Sequence, residues 1–234
     1  MKIFPENVST YGQEIDSLFW IITVFAGIAF VISLFVLLYP LIRYRHTASP
    51  KAQYITGEKK KHFKWITIAL VLLLGSDFVI LYCEHDAWAQ IESAPDKVDV
   101  RVGIIARQWN WIFVYPGPDG VLNTSDDVIV DDMNSSLHVP VNKNIVFELR
   151  SQDVIHSFFL ANARFKQDVL PGRTLVRWFN LTKEGKYDIS CTQICGILHS
   201  KMRNFVQVES EERYKHFIDS LYSANAPKAA LTNN

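Results

Sequence analysis

Four side chains with the character of soft metal ligands lie within twelve residues of one another in the C-terminal part of the chain. They are Cys191, Cys195, His199 and Met202. Thiolate and thioether are soft ligands, and in combination with imidazole they favour copper over hard cations such as magnesium and calcium. Two cysteines four residues apart in one short loop are also able to bridge two metal ions. This run therefore predicts a copper site.

Two other interpretations of the cysteine pair were weighed against copper. A disulfide between Cys191 and Cys195 is common in oxidising compartments, and Cys/His clusters often bind structural zinc. The neighbouring His199 and Met202 disfavour a disulfide, because a disulfide needs neither side chain, and methionine is an unusual zinc ligand. The remaining cysteine, Cys83, lies at the end of an apolar segment and is predicted to be a packed thiol.

A second histidine is needed to complete a copper site, and two histidines precede the run. His156 follows directly on a predicted strand, so it is well placed to point at a neighbouring loop. His138 lies two residues before Pro140 and has no such context, so we predict that it is a surface residue.

Two apolar segments in the N-terminal part predict a pair of transmembrane helices, at about 18–41 and 65–82. Each is close to or above the ~20 residues that cross a hydrocarbon core as a helix. A signal peptide is the alternative for the first segment, but its apolar stretch is too long and acidic residues precede it. Asp77 is the one charge in the second segment, and either a role inside the membrane or a position near its surface fits it.

The charge of the connecting loop predicts the orientation of this helical hairpin. The stretch between the two apolar segments contains one acidic residue, Glu58, and seven basic residues. The basic residues are Arg43, Arg45, Lys51, Lys59, Lys60, Lys61 and Lys64. Positively charged loops stay in the cytoplasm. The C-terminal domain is therefore expected outside the cytoplasm, at a bacterial cell membrane or a mitochondrial inner membrane.

The remainder of the chain predicts an all-β domain with a short C-terminal helix. Short alternating apolar and polar stretches are separated by turn signals, which is typical of a Greek-key sandwich. The predicted strands are 98–104, 108–115, 144–149, 174–179, 187–190 and 205–208. Ser210 is a plausible N-cap for a helix over 210–224. The predicted organisation is a transmembrane hairpin over 1–83, an extracytoplasmic β domain over 84–224 and a tail over 225–234.

Four motifs together resemble subunit II of the haem-copper cytochrome c oxidases. They are Gln108–Trp111, Asp153–Phe158, Asp168–Arg173 and Cys191–Met202. A hairpin of two membrane helices before a cupredoxin-like domain is similar to that family as well. The resemblance covers nearly the whole chain and implies an electron-transfer subunit of a proton-translocating oxidoreductase complex.

The resemblance implies a dinuclear copper centre, CuA, and its ligands. Cys191 and Cys195 would bridge both copper ions, and His156, His199 and Met202 would complete their coordination. Gln193 would contribute its backbone carbonyl, which does not depend on the side chain. The family commonly has glutamate at this position, where it helps to bind magnesium at the interface with subunit I. A neutral amide is a poorer magnesium ligand, so we hypothesise weak or no magnesium binding, although Asp168 remains in its motif.

The resemblance also implies that Trp109 is the exposed residue that receives electrons from cytochrome c, while Trp111 and Tyr115 are scaffold aromatics. No lysine or arginine occurs from Gln108 to Asn142, and this stretch contains five aspartates: Asp119, Asp126, Asp127, Asp131 and Asp132. Such a segment favours docking of a basic protein. A calcium-binding loop and a plain solvated loop are the alternatives.

The implied partners are subunit I, with its haem and CuB, and subunit III, together with cytochrome c as the electron donor; nucleic acid is not expected. The sequence thus predicts subunit II of cytochrome c oxidase, which passes electrons to haem in subunit I for the reduction of oxygen to water. The alternatives are a quinol oxidase subunit II that lacks copper, a nitrous oxide reductase, and a membrane-tethered cupredoxin or copper chaperone.

Overall fold

The computed structural model describes residues 4–45 and 56–225, which divide into two compact units. One unit is Glu14–Gln90, and the other joins Met1–Gln13 to Ile91–Asn234. The basic loop between the apolar segments lies partly outside the described residues, and so does nearly all of the predicted tail.

Two long helices, α1 (Gly12–Arg43) and α2 (Lys60–Glu92), contain the predicted membrane segments. Both are long and apolar enough to cross a membrane. Each helix extends beyond its predicted segment, and α2 continues ten residues past Tyr82. The length of the apolar run gives only the part of the helix that is apolar enough to lie in the hydrocarbon core. The helix itself continues as long as its residues favour helix formation. The stretch from Glu84 to Glu92 is rich in alanine and glutamate, and Pro95 follows soon after the helix end.

Among the described residues, ten strands form two five-stranded sheets, and this confirms the predicted β domain. The strands are β1 (Val100–Arg107), β2 (Asn110–Tyr115), β3 (Val128–Val130), β4 (Ser136–Pro140), β5 (Asn144–Ser151), β6 (His156–Leu160), β7 (Phe165–Val169), β8 (Leu175–Asn180), β9 (Gly185–Cys191) and β10 (Arg203–Glu209). The sheet orders are β3-β2-β1-β5-β8 and β4-β10-β9-β6-β7.

Buried aromatic side chains join the two sheets. Phe147 on β5 lies 5.2 Å from Phe165 on β7 and 4.8 Å from Phe179 on β8, measured between ring centroids. Phe158 on β6 packs edge-on against Trp111 on β2 at 5.3 Å. All of these rings are buried, and edge-to-face packing of this kind suits aromatic rings in a core. The core therefore lies between the two sheets, next to β6.

Four of the strands, β3, β4, β6 and β7, were not among the predicted ones. β6 was missed because four of its five residues are buried, so its sequence lacks the alternation of a half-exposed strand. β4 ends at Pro140, and proline within an apolar run argues against a strand. β3 has only three residues, which is too short for any periodicity to be recognised.

The segment that precedes α1 is bound to the β domain by backbone hydrogen bonds. Val8 donates its N–H to Asn162 and accepts one from Thr182, at 2.9 and 2.7 Å. Tyr11 is buried and packs edge-on against Trp178 at 5.7 Å. The chain therefore leaves the β unit at the start of α1 and returns to it after α2.

The C-terminal helix α3 (Glu211–Asn225) begins directly after Ser210, as predicted. The Ser210 hydroxyl accepts a hydrogen bond from the backbone N–H of Arg213 at 3.4 Å, so Ser210 is the N-cap. The prediction that His138 is a surface residue was wrong. Its ring is half-buried and stacks on Phe217 of α3 at 3.9 Å.

Candidate metal centre

His156, Cys191 and Cys195 form the one group of three histidine, cysteine or acidic residues placed to hold a metal ion within the described part of the chain. All three are buried, and their ligand atoms lie within 4.8 Å of one another. The two thiols are not linked, with Sγ atoms 3.7 Å apart. The structure thus brings together the cysteine pair and the upstream histidine that the sequence singled out.

The three other predicted donor atoms lie around this group. Met202 Sδ is 3.2 Å from His156 Nδ1 and 3.9 Å from Cys195 Sγ. His199 Nδ1 is 3.5 Å from Cys195 Sγ. The backbone carbonyl oxygen of Gln193 is 3.2 Å from Cys191 Sγ, while the Gln193 side chain is exposed. Six donor atoms, from the ends of two strands and from the loop that follows β9, therefore converge on a single small volume.

Strand ends and backbone hydrogen bonds position this loop. His156 opens β6, Cys191 closes β9, and Met202 immediately precedes β10. The N–H of Cys191 donates to Met202 O at 3.2 Å, and the N–H of Thr192 donates to Ser157 O at 3.1 Å. A short 3₁₀ turn presents His199. The donors are consequently supported by the sheet rather than by an unrestrained loop, which is the arrangement that fixes ligand geometry.

Asp153 orients the ring of His156. Its carboxylate lies 2.8 Å from His156 Nε2, so the other ring nitrogen, Nδ1, is left facing Cys191 and Met202. The same carboxylate accepts backbone N–H groups of Gln108 and Val154, both at 2.6 Å. A carboxylate that holds the outer nitrogen of a histidine is the usual support of a metal-binding imidazole. Asp153 was missed from the sequence, although an aspartate three residues before a candidate histidine was a usable signal.

The protonation of the two thiols differs because they share one site. Burial raises the pKa of Cys191, but hydrogen bonds with His156 and with the backbone outweigh it and lower the pKa to about 6. Burial raises the pKa of Cys195, and the neighbouring Cys191 raises it further, to about 12. Two adjacent thiolates repel each other unless a cation lies between them. The donor set therefore fits a positively charged metal that binds both sulfurs in their deprotonated form.

Trp109, which was predicted to be exposed, is half-buried and lies against the ligand loop. Its indole N–H donates to the backbone carbonyl of Cys195 at 3.2 Å. Trp111 and Tyr115 are fully buried, which confirms their assignment as scaffold aromatics. The tryptophan that the sequence singled out is thus in direct contact with a residue of the cluster.

The acidic stretch extends to the same end of the molecule. Asp131 accepts hydrogen bonds from Arg107 and Asn110, at 2.8 and 3.0 Å, and these residues flank Trp109 closely in sequence. Asp126 and Asp127 accept hydrogen bonds within their own loop, from Thr124 and Asn123. In the described residues these carboxylates form no group placed to hold a metal, so the geometry gives the calcium alternative no support.

The chain is similar to subunit II of cytochrome c oxidase. Residues 100–209 match the family model of the cytochrome c oxidase subunit II periplasmic domain. The alternative cytochrome c oxidase subunit 2 of Bradyrhizobium diazoefficiens is 29% identical over 238 residues, with 91% of this chain and 80% of that protein covered. The part of the chain that contains the metal cluster is thus similar to the periplasmic domain of subunit II, and the chain as a whole is similar to a subunit of haem-copper oxidases.

Other subunit II relatives match over a shorter range. The cytochrome c oxidase subunit 2 of Thermostichus vulcanus is 38% identical over 122 residues, which cover 52% of this chain and 32% of that protein. The chain spans about half the length of the probable subunit 2 of Rickettsia prowazekii, to which it is 28% identical over 166 residues. The solved periplasmic domain of subunit II from Bradyrhizobium japonicum has 25% identity and a TM-score of 0.49, with 56% of this chain and 99% of that one covered.

This similarity agrees with the features described above. The two apolar helices and the similarity to subunit II together indicate a membrane-anchored protein with a periplasmic domain. The donor chemistry of the His/Cys/Cys cluster indicates copper binding. The quinol oxidase and copper chaperone alternatives are not favoured by these comparisons.

Proposed function

We propose that this chain is subunit II of a haem-copper oxidase, which accepts electrons from reduced cytochrome c at a dinuclear CuA centre and passes them to haem in subunit I. His156, Cys191, Cys195, His199, Met202 and the backbone carbonyl of Gln193 would hold the two copper ions. When bound, the copper would supply a one-electron couple. The convergence of six soft and borderline donor atoms around the unlinked cysteine pair carries this proposal.

The residues of the chain would perform three tasks in this reaction. The sheet ends and the hydrogen-bonded loop keep the donors in place, which limits the reorganisation that accompanies a change of charge. Asp153 fixes the ring orientation of His156. The buried position of the cysteines and His156 excludes water from the sulfurs. In this proposal oxygen is reduced in subunit I.

The membrane arrangement in the proposal rests on the two ends of the helical hairpin. The segment before α1 and the domain after α2 belong to one compact unit, so both ends of the hairpin lie on the same side of a membrane that it crosses twice. With the basic loop on the cytoplasmic side, the copper domain is periplasmic. Subunit I and subunit III are the proposed membrane partners.

Electron delivery by cytochrome c is expected to depend strongly on ionic strength. Five aspartates and no lysine or arginine occur between Gln108 and Asn142. A field of one sign attracts a basic protein over a distance that salt shortens. Raising the salt concentration from about 10 mM to about 200 mM should slow bimolecular reduction of the copper centre roughly tenfold. Stopped-flow mixing with reduced cytochrome c measures this rate.

Two comparisons make the salt experiment specific. A small neutral reductant should reduce the centre at a rate that salt does not change. The Asp126→Asn, Asp132→Asn double variant should show a smaller salt slope, whereas Asp188→Asn on the exposed face of β9 should not. A flat salt response of the wild-type chain would rule out docking by charge and would count against cytochrome c as the electron donor.

Loss of the Asp153 carboxylate is expected to weaken copper binding without unfolding the domain. In Asp153→Asn the bond that holds His156 Nε2 is weakened, and the ring is no longer fixed toward Cys191. Removal of such a supporting partner typically costs about tenfold to 100-fold in metal affinity. Competition with a copper chelator measures the affinity, and Asp188→Asn is the matched control. Equal affinities for all three proteins would show that Asp153 does not support the ligand.

Gln193 is a poor ligand for magnesium. Its side chain is an exposed neutral amide, and magnesium prefers carboxylate and water oxygens. We expect well under one magnesium per purified oxidase complex by metal analysis, and a clear increase in the Gln193→Glu variant. Copper content should stay the same, because the proposed copper contact is the backbone carbonyl. Stoichiometric magnesium in the wild-type complex would contradict this expectation.

A further inference from the structure

Two neighbouring side chains donate hydrogen bonds to the same backbone oxygen, that of Cys195. Gln108 Nε2 lies 2.8 Å and Trp109 Nε1 lies 3.2 Å from this oxygen. A carbonyl oxygen has two lone pairs, so both are used by this pair of donors. The acceptor belongs to a buried cysteine of the metal cluster. The indole is therefore joined to this residue by a direct hydrogen bond.

Gly196 makes the close approach of this pair possible. Its φ is +124°, a conformation that side-chain-bearing residues rarely adopt. A Cβ atom at this position would lie 2.9 Å from Trp109 Cζ2, 3.0 Å from Gln108 Nε2 and 3.1 Å from Trp109 Nε1. Any larger residue would therefore push both donors away from the Cys195 carbonyl.

The backbone of Gln108 is bound to a second ligand residue of the cluster through Asp153. Its N–H donates to Asp153 at 2.6 Å, and the other oxygen of this carboxylate lies 2.8 Å from His156 Nε2. The segment that carries Gln108 and Trp109 is thus connected to two different ligand residues, His156 through Asp153 and Cys195 through its carbonyl.

We infer that Gln108 and Gly196 are positioning residues that hold the Trp109 indole against the backbone of Cys195. The inference rests on the proposed function, in which Trp109 receives the electron and Cys195 is a copper ligand. The route from the indole to the metal then consists of one N–H···O hydrogen bond followed by the covalent bonds from the Cys195 carbonyl carbon to its Sγ. If the indole is displaced, a gap through space replaces the hydrogen bond. Electronic coupling between the indole and the metal is weaker across such a gap.

Three variants test this inference. Gln108→Glu is nearly isosteric but removes the donor and places an acceptor beside the Cys195 oxygen. Gly196→Ala leaves Gln108 unchanged and adds the Cβ that the geometry forbids. Gln152→Glu is the matched control, because its backbone N–H bonds to the Ala106 carbonyl on β1 and the residue is exposed. It adds the same negative charge without touching the indole.

The first measurement uses the full-length chain without copper. Hydrogen exchange of the Trp109 indole N–H is followed by NMR of ¹⁵N-labelled protein in detergent, and the resonance is assigned by its loss in Trp109→Phe. Exchange should be roughly tenfold faster in Gln108→Glu and Gly196→Ala, because the hydrogen bond that protects the proton is weakened. It should be unchanged in Gln152→Glu. Exchange at the wild-type rate in both variants would overturn the inference.

The second measurement uses the copper-loaded chain and single-turnover reduction by cytochrome c. Both variants should transfer electrons at least about tenfold more slowly, since a misplacement of about 1 Å can cost on the order of 100-fold in rate. The affinity for cytochrome c and the copper absorption spectrum should stay as in the wild type. A changed copper spectrum in Gln108→Glu would overturn the inference, because Gln108 would then act on the ligands instead of on Trp109. If the wild type binds no copper, the proposed function fails, but the exchange experiment still decides the positioning role.

Discussion

Replacing Cys191 by serine is expected to abolish copper binding by the full-length chain. Its Sγ lies 3.7 Å from Cys195 Sγ and 4.0 Å from His156 Nδ1, at the middle of the proposed donor set. A serine hydroxyl is a hard ligand that stays protonated near neutral pH, so it is a poor replacement for a soft thiolate. We expect affinity to fall by more than the roughly tenfold to 100-fold that loss of a supporting residue costs. Metal analysis after copper loading and desalting measures the effect.

Cys83→Ser is the control for this substitution. Cys83 lies in α2, outside the β unit, so its loss removes one thiol from the chain without touching the cluster. Copper content should equal that of the wild type. Full copper content in Cys191→Ser would mean that the cysteine pair does not hold the metal, and the donor set proposed for CuA would then be wrong.

Replacing Trp109 by phenylalanine is expected to slow electron transfer from cytochrome c on the order of 100-fold. Phenylalanine keeps an aromatic ring in a similar place but lacks the N–H that bonds to Cys195 O at 3.2 Å. The hydrogen-bonded route to the ligand is therefore broken. Because Trp109 is not a ligand, the copper content and the copper spectrum should not change. Single-turnover stopped-flow kinetics separates the transfer step from the binding of cytochrome c.

Trp88→Phe provides the control for the tryptophan substitution. Trp88 is 58% exposed on α2 and belongs to the other compact unit. Its replacement should leave the rate unchanged. A wild-type rate in Trp109→Phe would contradict the proposal that this indole receives the electron. An equal loss of rate with a small neutral reductant would also contradict it, because the defect would then lie in the centre itself.

The type of each element could be predicted from the sequence more reliably than its limits. Apolar runs of about 20 residues with at most one charge identified α1 and α2, since crossing hydrocarbon requires such composition. Where these helices end was not predictable, because Glu84–Glu92 is helical by local propensity without being apolar. In the β domain, half-exposed strands such as β5 alternate visibly, whereas β6 is buried on both faces and does not.

The donor atoms of the candidate site could be predicted because soft ligands are rare and were concentrated in one run. His156 was recognised from its position at a strand end, and the structure places it beside Cys191. The supporting contacts could not be predicted in the same way. Gln108 and Asp153 act through hydrogen bonds to the Cys195 carbonyl and to the His156 ring, and Gly196 acts by having no side chain. All three residue types are common in loops. Only the spatial arrangement shows that Gln108 and Trp109 share the carbonyl of Cys195.

His138 shows the same limit for a residue outside the site. Its position before Pro140 indicated an exposed loop, yet it lies on β4 and stacks on Phe217. The partner comes from α3, nearly eighty residues later, and no local pattern records such a contact. Contacts between residues that are distant in sequence decide whether a side chain is buried. A short stretch of sequence indicates burial only when apolar and polar residues alternate in it.

The most direct test of the proposed centre is electron paramagnetic resonance of the copper-loaded, full-length chain together with its copper content. The account predicts two copper ions per chain and a mixed-valence spectrum in which one unpaired electron is shared equally by two copper nuclei. A spectrum of one isolated copper ion, or a chain that retains no copper after loading under reducing conditions, would contradict it.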